Sequence, residues 1–146
     1  MRIELAKTVA APSAGSFAVV ADVARWPQII HSVRSLEVLT TGPLRAGSRI
    51  REERVLFHHS GTHEYEVPAI EPPHRLRLLA QHPDLPYELD HLIDDVYGGR
   101  SRLTLAFRSR PETTAERSLE PLISSLVWIT LRDDVPRMDE TIKRWR

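Results

Sequence analysis

Apolar and polar residues follow two rhythms along this chain. Ile3, Leu5, Lys7 and Val9 alternate with Glu4, Ala6 and Thr8, the period of a strand. Ala11-Pro12-Ser13 then opens a helix, with Pro12 suited to its first turn. Phe17, Val20, Val23 and Ala24 keep helical spacing up to Trp26-Pro27, where the residue before a proline leaves the helical region. Pro27 begins a short second helix through Gln28, Ile29 and Ile30.

The period of two returns after residue 32. Strands are predicted at 33–39, 48–58, 62–70, 75–82, 87–97 and 101–108. They are separated by a turn at 41–47, a closure near Ser60-Gly61, the pair Pro72-Pro73, the segment 83–86 and a two-residue hairpin at Gly98-Gly99. Residues 114–145 read as one long amphipathic helix. Leu119, Leu122, Ile123, Leu126, Ile129 and Thr130 form one stripe, and Val135, Met138, Ile142 and Trp145 form another. Pro136 lies between them, so a kink or short break is expected near Asp133-Asp134.

The fold class is therefore α+β: a curved, antiparallel seven-stranded sheet, two short helices after strand 1, and a long C-terminal helix. Short turns make the strands antiparallel. One sheet face is charged, and the last helix is the only large element able to cover the other. A gap between sheet and helix is the candidate site. The length, 146 residues, suits one domain, 1–146.

Composition narrows the function. Lys plus Arg total 20, as do Asp plus Glu, so no basic excess points to nucleic acid. The absence of cysteine removes disulfides, thiolate metal sites and a thiol nucleophile. No apolar run spans a bilayer and residues 1–7 hold no signal-peptide block, so a cytoplasmic protein without stable membrane insertion is expected. No cofactor is called for, because GxSxG, GxGxxG, P-loop and HExxH motifs are missing. His58 and His59 point to opposite sides of a strand, so they do not make a metal site with His63 and no metal is expected.

Strand parity selects the lining. The inward sets are Leu76, Leu78 and Ala80; Tyr87, Leu89, His91 and Ile93; Leu103, Leu105 and Phe107; and His63, Tyr65, Val67 and Ala69. On 48–58 parity is open. Glu52 and Arg54 read as a solvated strand face, with a buried pair in the cavity as the rival. His63 and His91 are either acid–base groups on a carbonyl or enol, or core histidines satisfied by a backbone partner. Tyr65 and Tyr87 read as packing residues with one hydrogen bond each. The arginines at 100, 102, 108 and 110 read as a solvated face.

Several stretches resemble the START/Bet v 1-like (SRPBCC) superfamily, on its polyketide cyclase/dehydrase and lipid-transport branch. They are residues 10–23, Arg25-Trp26-Pro27-Gln28-Ile29, residues 36–49, residues 64–76 with Pro72-Pro73, and Gly98-Gly99 to Leu105. The resemblance implies a helix-grip fold and a small hydrophobic ligand: lipid, isoprenoid or aromatic polyketide-like. It places Trp26 at the pocket entrance. In cyclase relatives a pocket arginine polarises the substrate; the matching place here is Ala69, with Arg54 as the substitute on the neighbouring strand.

The expected function is ligand binding between sheet and helix by Trp26, His63, Tyr65, Val67, Leu78, Tyr87, Leu89, His91, Leu105, Phe107 and Leu126. One alternative is a cyclase/dehydratase-like enzyme with His63, His91 and Arg54 as its candidate chemical groups. The other is a protein-interaction or quinone-delivery module with a filled pocket and an apolar patch near Trp128 or Trp145. A homodimer through an edge strand is left open.

Overall fold

Each apolar rhythm becomes an element of the matching period. The computed structural model describes residues 1–56, 59–81 and 85–144. Along them run β1 (Arg2–Val9), α1 (Ser13–Val20), a 3₁₀ turn (Val23–Arg25), α2 (Trp26–Ile29), β2 (Val33–Val38), β3 (Arg49–Leu56), β4 (His59–Glu71), β5 (Arg75–Ala80), β6 (Tyr87–Val96), β7 (Arg100–Ser109) and α3 (Thr114–Arg144). The predicted positions His58, His82 and Trp145 lie outside the described residues.

The seven strands form one antiparallel sheet in the order β1-β7-β6-β5-β4-β3-β2. Successive strands from β2 to β7 are neighbours, as short connections require. β1 lies at the opposite edge from β2, so α1 and α2 carry the chain across the whole sheet. α3 packs on β1, β7, α1 and α2 and covers the same face. Among the described residues no helix is long and apolar enough to cross a membrane.

Alternation fixes the inner face. Ile50, Tyr65, Val67, Leu76, Leu78, Ala80, Leu89, His91, Ile93, Leu103, Leu105 and Phe107 are all buried there. The outer face is charged: Asp90 takes Arg75 and Arg77 at 2.7 and 3.0 Å, and Arg100, Arg102, Arg108 and Arg110 are exposed. The Arg75 and Arg77 hydrogen bonds outweigh partial burial and hold the Asp90 carboxyl below its usual range. Buried Ser16 and Ser101 share a hydrogen bond of 2.7 Å, and Ser101 donates to the Ala11 carbonyl at 2.7 Å, pinning α1 to β7.

Five expectations about elements and register are corrected. The first helix stops at Ala21, and Val23–Arg25 form a 3₁₀ turn instead of continuing it. Ser60 and Gly61 are inside β4, paired with Val55 and Arg54, so the chain reverses before them. Val96 pairs with Arg100, so the β6–β7 loop includes Tyr97 as well as Gly98 and Gly99, both at positive φ. A register shift between Glu66 and Ala69 puts Ala69 opposite Arg77 and Ile70 opposite Leu76. That bulge turns Ala69 to the outer face, because one extra residue reverses parity.

The fifth correction concerns α3, which runs through Pro136 without a break. An unbroken helix supports one continuous buried stripe. Ile123 and Val127 pack on the core, and Leu131, Val135, Met138 and Ile142 are buried. The spacing of four from Ile123 to Val135 leads directly into the C-terminal stripe. Leu119, Leu122 and Ile129 are therefore turned outward, with 37%, 61% and 39% exposure, and Leu126 is half-buried.

Candidate functional site

Strand β3 carries charge inward. Ile50, Glu52 and Arg54 share its buried face, while Arg51 and Glu53 are exposed. The reading of Glu52 and Arg54 as a solvated face is thus overturned: Glu52 is 0% and Arg54 7% exposed. Two features make this burial tolerable. Arg54 faces Gly61 across the ladder, which has no side chain to crowd the guanidinium. Each guanidinium nitrogen also has a carboxylate acceptor, with Nε and a terminal nitrogen donating to the two Glu52 oxygens at 2.8 and 3.2 Å. Its other terminal nitrogen donates to Asp134 Oδ2 of α3 at 3.4 Å. Burial alone would lower the Arg54 pKa, but the charge and hydrogen bond of Glu52, with Tyr65 and Asp134, together more than reverse that.

From Glu52 a hydrogen-bonded chain crosses three strands. Tyr65 donates to Glu52 Oε1 at 2.9 Å, the Tyr65 and Tyr87 hydroxyls lie 2.6 Å apart, and Tyr87 meets His63 Nδ1 at 2.8 Å. Direction follows from the carboxylate, which only accepts. Tyr65 spends its proton on Glu52, so Tyr87 must donate to Tyr65. Tyr87 has then spent its proton too, so His63 must donate from Nδ1. This assigns the neutral His63 tautomer and puts its basic lone pair on Nε2. Nε2 points along β4 toward Gly61, where an added Cβ would sit 3.5 Å away. Burial, and then the Glu52 charge, push both tyrosines above their usual range, so both stay neutral donors near pH 7.

The other end of the chain reaches open space. A cleft of about 760 Å³ lies between α2, β2, β3 and α3, with Pro27, Val33, Val55 and Ile129 as apolar walls. Ser32, Thr130 and Asp134 supply polar groups, and His31, Arg34, Arg132 and Asp133 complete its lining. Asp134 is 3% exposed, and burial pushes its carboxyl up to about 6 against the pull of Arg54. The neighbouring Asp133 and Glu52 charges add to that upward push.

No family model matches the sequence, and no curated protein matches it either. Solved structures do. The Zhui aromatase/cyclase from Streptomyces sp. R1128 superposes with a TM-score of 0.81 at 17% identity, covering 99% of this chain and 94% of that one. A START superfamily protein from Mycobacterium smegmatis superposes at 0.80 with 14% identity, covering 99% of both chains. The chain has the START/Bet v 1-like (SRPBCC) fold. Ara h 8.0201 extends the likeness, at 0.67 with 11% identity over 99% of this chain and 98% of that one.

Within this START/Bet v 1-like framework the predicted residues separate into groups. His63, Tyr65 and Tyr87 come together in the polar chain. His91 does not join it: its Nδ1–H donates to the Leu76 carbonyl at 3.2 Å and its ring lies 5.3 Å from Trp26. Burial pulls His91 down to about 4, so it is neutral near pH 7. Trp26 is 1% exposed and donates to the Val20 carbonyl at 3.1 Å, a packing role rather than a rim position. Val67, Leu78, Leu89, Leu105 and Phe107 are 0–5% exposed and pack in the core. The cleft shares no residue with the predicted lining.

Asp134 and Ser32 were not singled out from the sequence. A signal for Asp134 exists: it falls between Leu131 and Met138 on the buried stripe, where an acid is out of place. The expected break at Asp133-Asp134 hid that register. Ser32 carries no comparable signal.

Proposed function

We propose that this protein binds a small, largely apolar molecule between the sheet edge and α3. The observation that supports this best is the cleft of about 760 Å³, whose lining combines Pro27, Val33, Val55 and Ile129 with polar groups that include the buried Asp134. That combination suits a ligand held by shape and oriented by one or two polar contacts. The likeness to an aromatase/cyclase and a START protein is compatible with such a ligand.

Thermal shift with a panel of lipids, quinones and aromatic polyketides tests the reading. A ligand at one hundred times its Kd stabilises by about 2.7 kcal/mol, a rise of roughly 5–10 °C for a domain this size. At least one apolar compound is expected to give such a rise. Ile129→Trp, which fills the cleft from an exposed position, is expected to abolish it while leaving the unliganded melting temperature within about 2 °C. No rise with any compound, or a rise that survives Ile129→Trp, contradicts the reading.

The polar chain favours a second reading, a cyclase/dehydratase-like enzyme. His63 would accept a proton at Nε2, and the imidazolium would be stabilised through Tyr87 and Tyr65 by Glu52. Arg54 would not act on substrate directly, since Glu52 and Asp134 occupy it. Nitrogen NMR is expected to show neutral His63 protonated at Nδ1, and Tyr87→Phe to shift it toward the Nε2–H form. An Nε2–H tautomer in the unmodified protein rules this arrangement out.

A further inference from the structure

One feature of the cleft narrows the ligand's chemistry, and the inference rests on the binding reading above. Asp134 Oδ1 and Ser32 Oγ are buried without a hydrogen-bond partner among the described residues, and both residues line this cleft. Buried polar atoms nearly always have partners. Asp134 is 3% exposed, and its other oxygen already takes Arg54. What remains is one acceptor on a carboxylate and one hydroxyl that can both accept and donate.

Candidate head groups can be compared by charge and donor count. A carboxylate or phosphate offers Asp134 no donor and adds like charge. A ketone or ether offers only an acceptor. An ammonium donates as well, but Arg54 already answers the Asp134 charge, and although Asp133 is also on the lining, a further cation at Asp134 would lose its hydration beside Arg54. A neutral hydroxyl donates one hydrogen bond and accepts another, which matches the two groups. We propose that the cleft binds the hydroxyl end of an otherwise apolar molecule, with its O–H donated to Asp134 Oδ1 and its oxygen facing Ser32. Val33, Val55, Ile129 and Pro27 then contact the apolar body. Near neutral pH, above the Asp134 value of about 6, the carboxylate is in the accepting form.

The test uses two probes that differ by one group, 2-naphthol and naphthalene, with affinities read from probe fluorescence near pH 7.5. The intact protein is expected to bind 2-naphthol about tenfold more tightly, the scale of one hydrogen bond to a charged group. Asp134→Leu should bring that ratio to about one without weakening naphthalene. Ser32→Ala should reduce the ratio several-fold and leave the melting temperature unchanged, because the lost hydroxyl has no partner among the described residues. If Asp134→Leu fails to fold, Ser32→Ala decides alone. Equal affinities in the intact protein, or a preference that survives both substitutions, overturn the hydroxyl anchor while ligand binding itself stands. Failure to bind either probe, together with no response in the thermal-shift panel, overturns both readings.

Discussion

Arg54→Met is expected to destabilise the fold by about 3–5 kcal/mol, because it strands Glu52 and Asp134 as buried carboxylates without a counter-charge. Glu52 cannot turn to water, since it is 0% exposed and fixed by Tyr65 as well as by Arg54. For a domain of this length that loss is a large share of the total stability and lowers the melting temperature by roughly 10 °C or more. The triple variant Glu52→Leu/Arg54→Met/Asp134→Asn removes all three charges together and should recover most of the loss, since buried ionic groups are often replaced by uncharged residues at little cost. Urea denaturation of both variants measures this. A single variant within 1 kcal/mol of the parent would mean that the pair is hydrated and not part of the interior.

The second large effect is a concealed pH dependence. His91 is held near 4 by burial, against an ordinary 6.5. The unfolded chain therefore binds its proton first, so the His91 contribution is complete above pH 6.5 and is lost as pH falls toward 4. Asp134 runs the other way. Its folded value of about 6 lies above the ordinary 3.8, so its contribution is complete below 3.8 and is lost as pH rises through 6. Each amounts to about 3 kcal/mol over roughly two units. Between pH 4 and 6.5 the two slopes oppose each other. Asp134→Asn removes one of them, so it should raise stability by up to about 3 kcal/mol above pH 6 and expose a steep loss on acidification. Melting curves for parent and variant across pH 4–7.5 read both. Parallel curves would show that Asp134 titrates near its ordinary value.

These effects also mark where the sequence was legible. Strands β5, β6 and β7 alternate cleanly, so Leu78, His91 and Phe107 were placed on the inner face by parity alone. Their burial needs only a period of two and a covering helix. Strand β3 was different. Both of its faces carry charge, and the preference of charges for water pointed Glu52 and Arg54 outward. What reverses it is non-local: Tyr65 and Asp134 supply partners from β4 and α3, and Gly61 leaves room across the ladder. Ala69 was misplaced by a bulge between Glu66 and Ala69, which Pro68 marks because a proline inside a non-edge strand sits at a bulge. The cleft was missed because its walls come from α2, β2, β3 and α3 together, and because Pro136 suggested a break at the turn that carries Asp134. His63 was named from parity, but its direction along the chain to Glu52 required the positions of two hydroxyls.

The central claim is that this fold encloses a small apolar molecule beside a buried polar chain. Native mass spectrometry of the purified protein, before and after organic extraction, tests it most directly. The account predicts an excess mass that disappears on extraction and returns when the extract is added back. A bare mass in both preparations, followed by no thermal shift with any compound of the panel, would contradict it and favour a filled interior whose exposed Leu122 and Trp128 serve another protein.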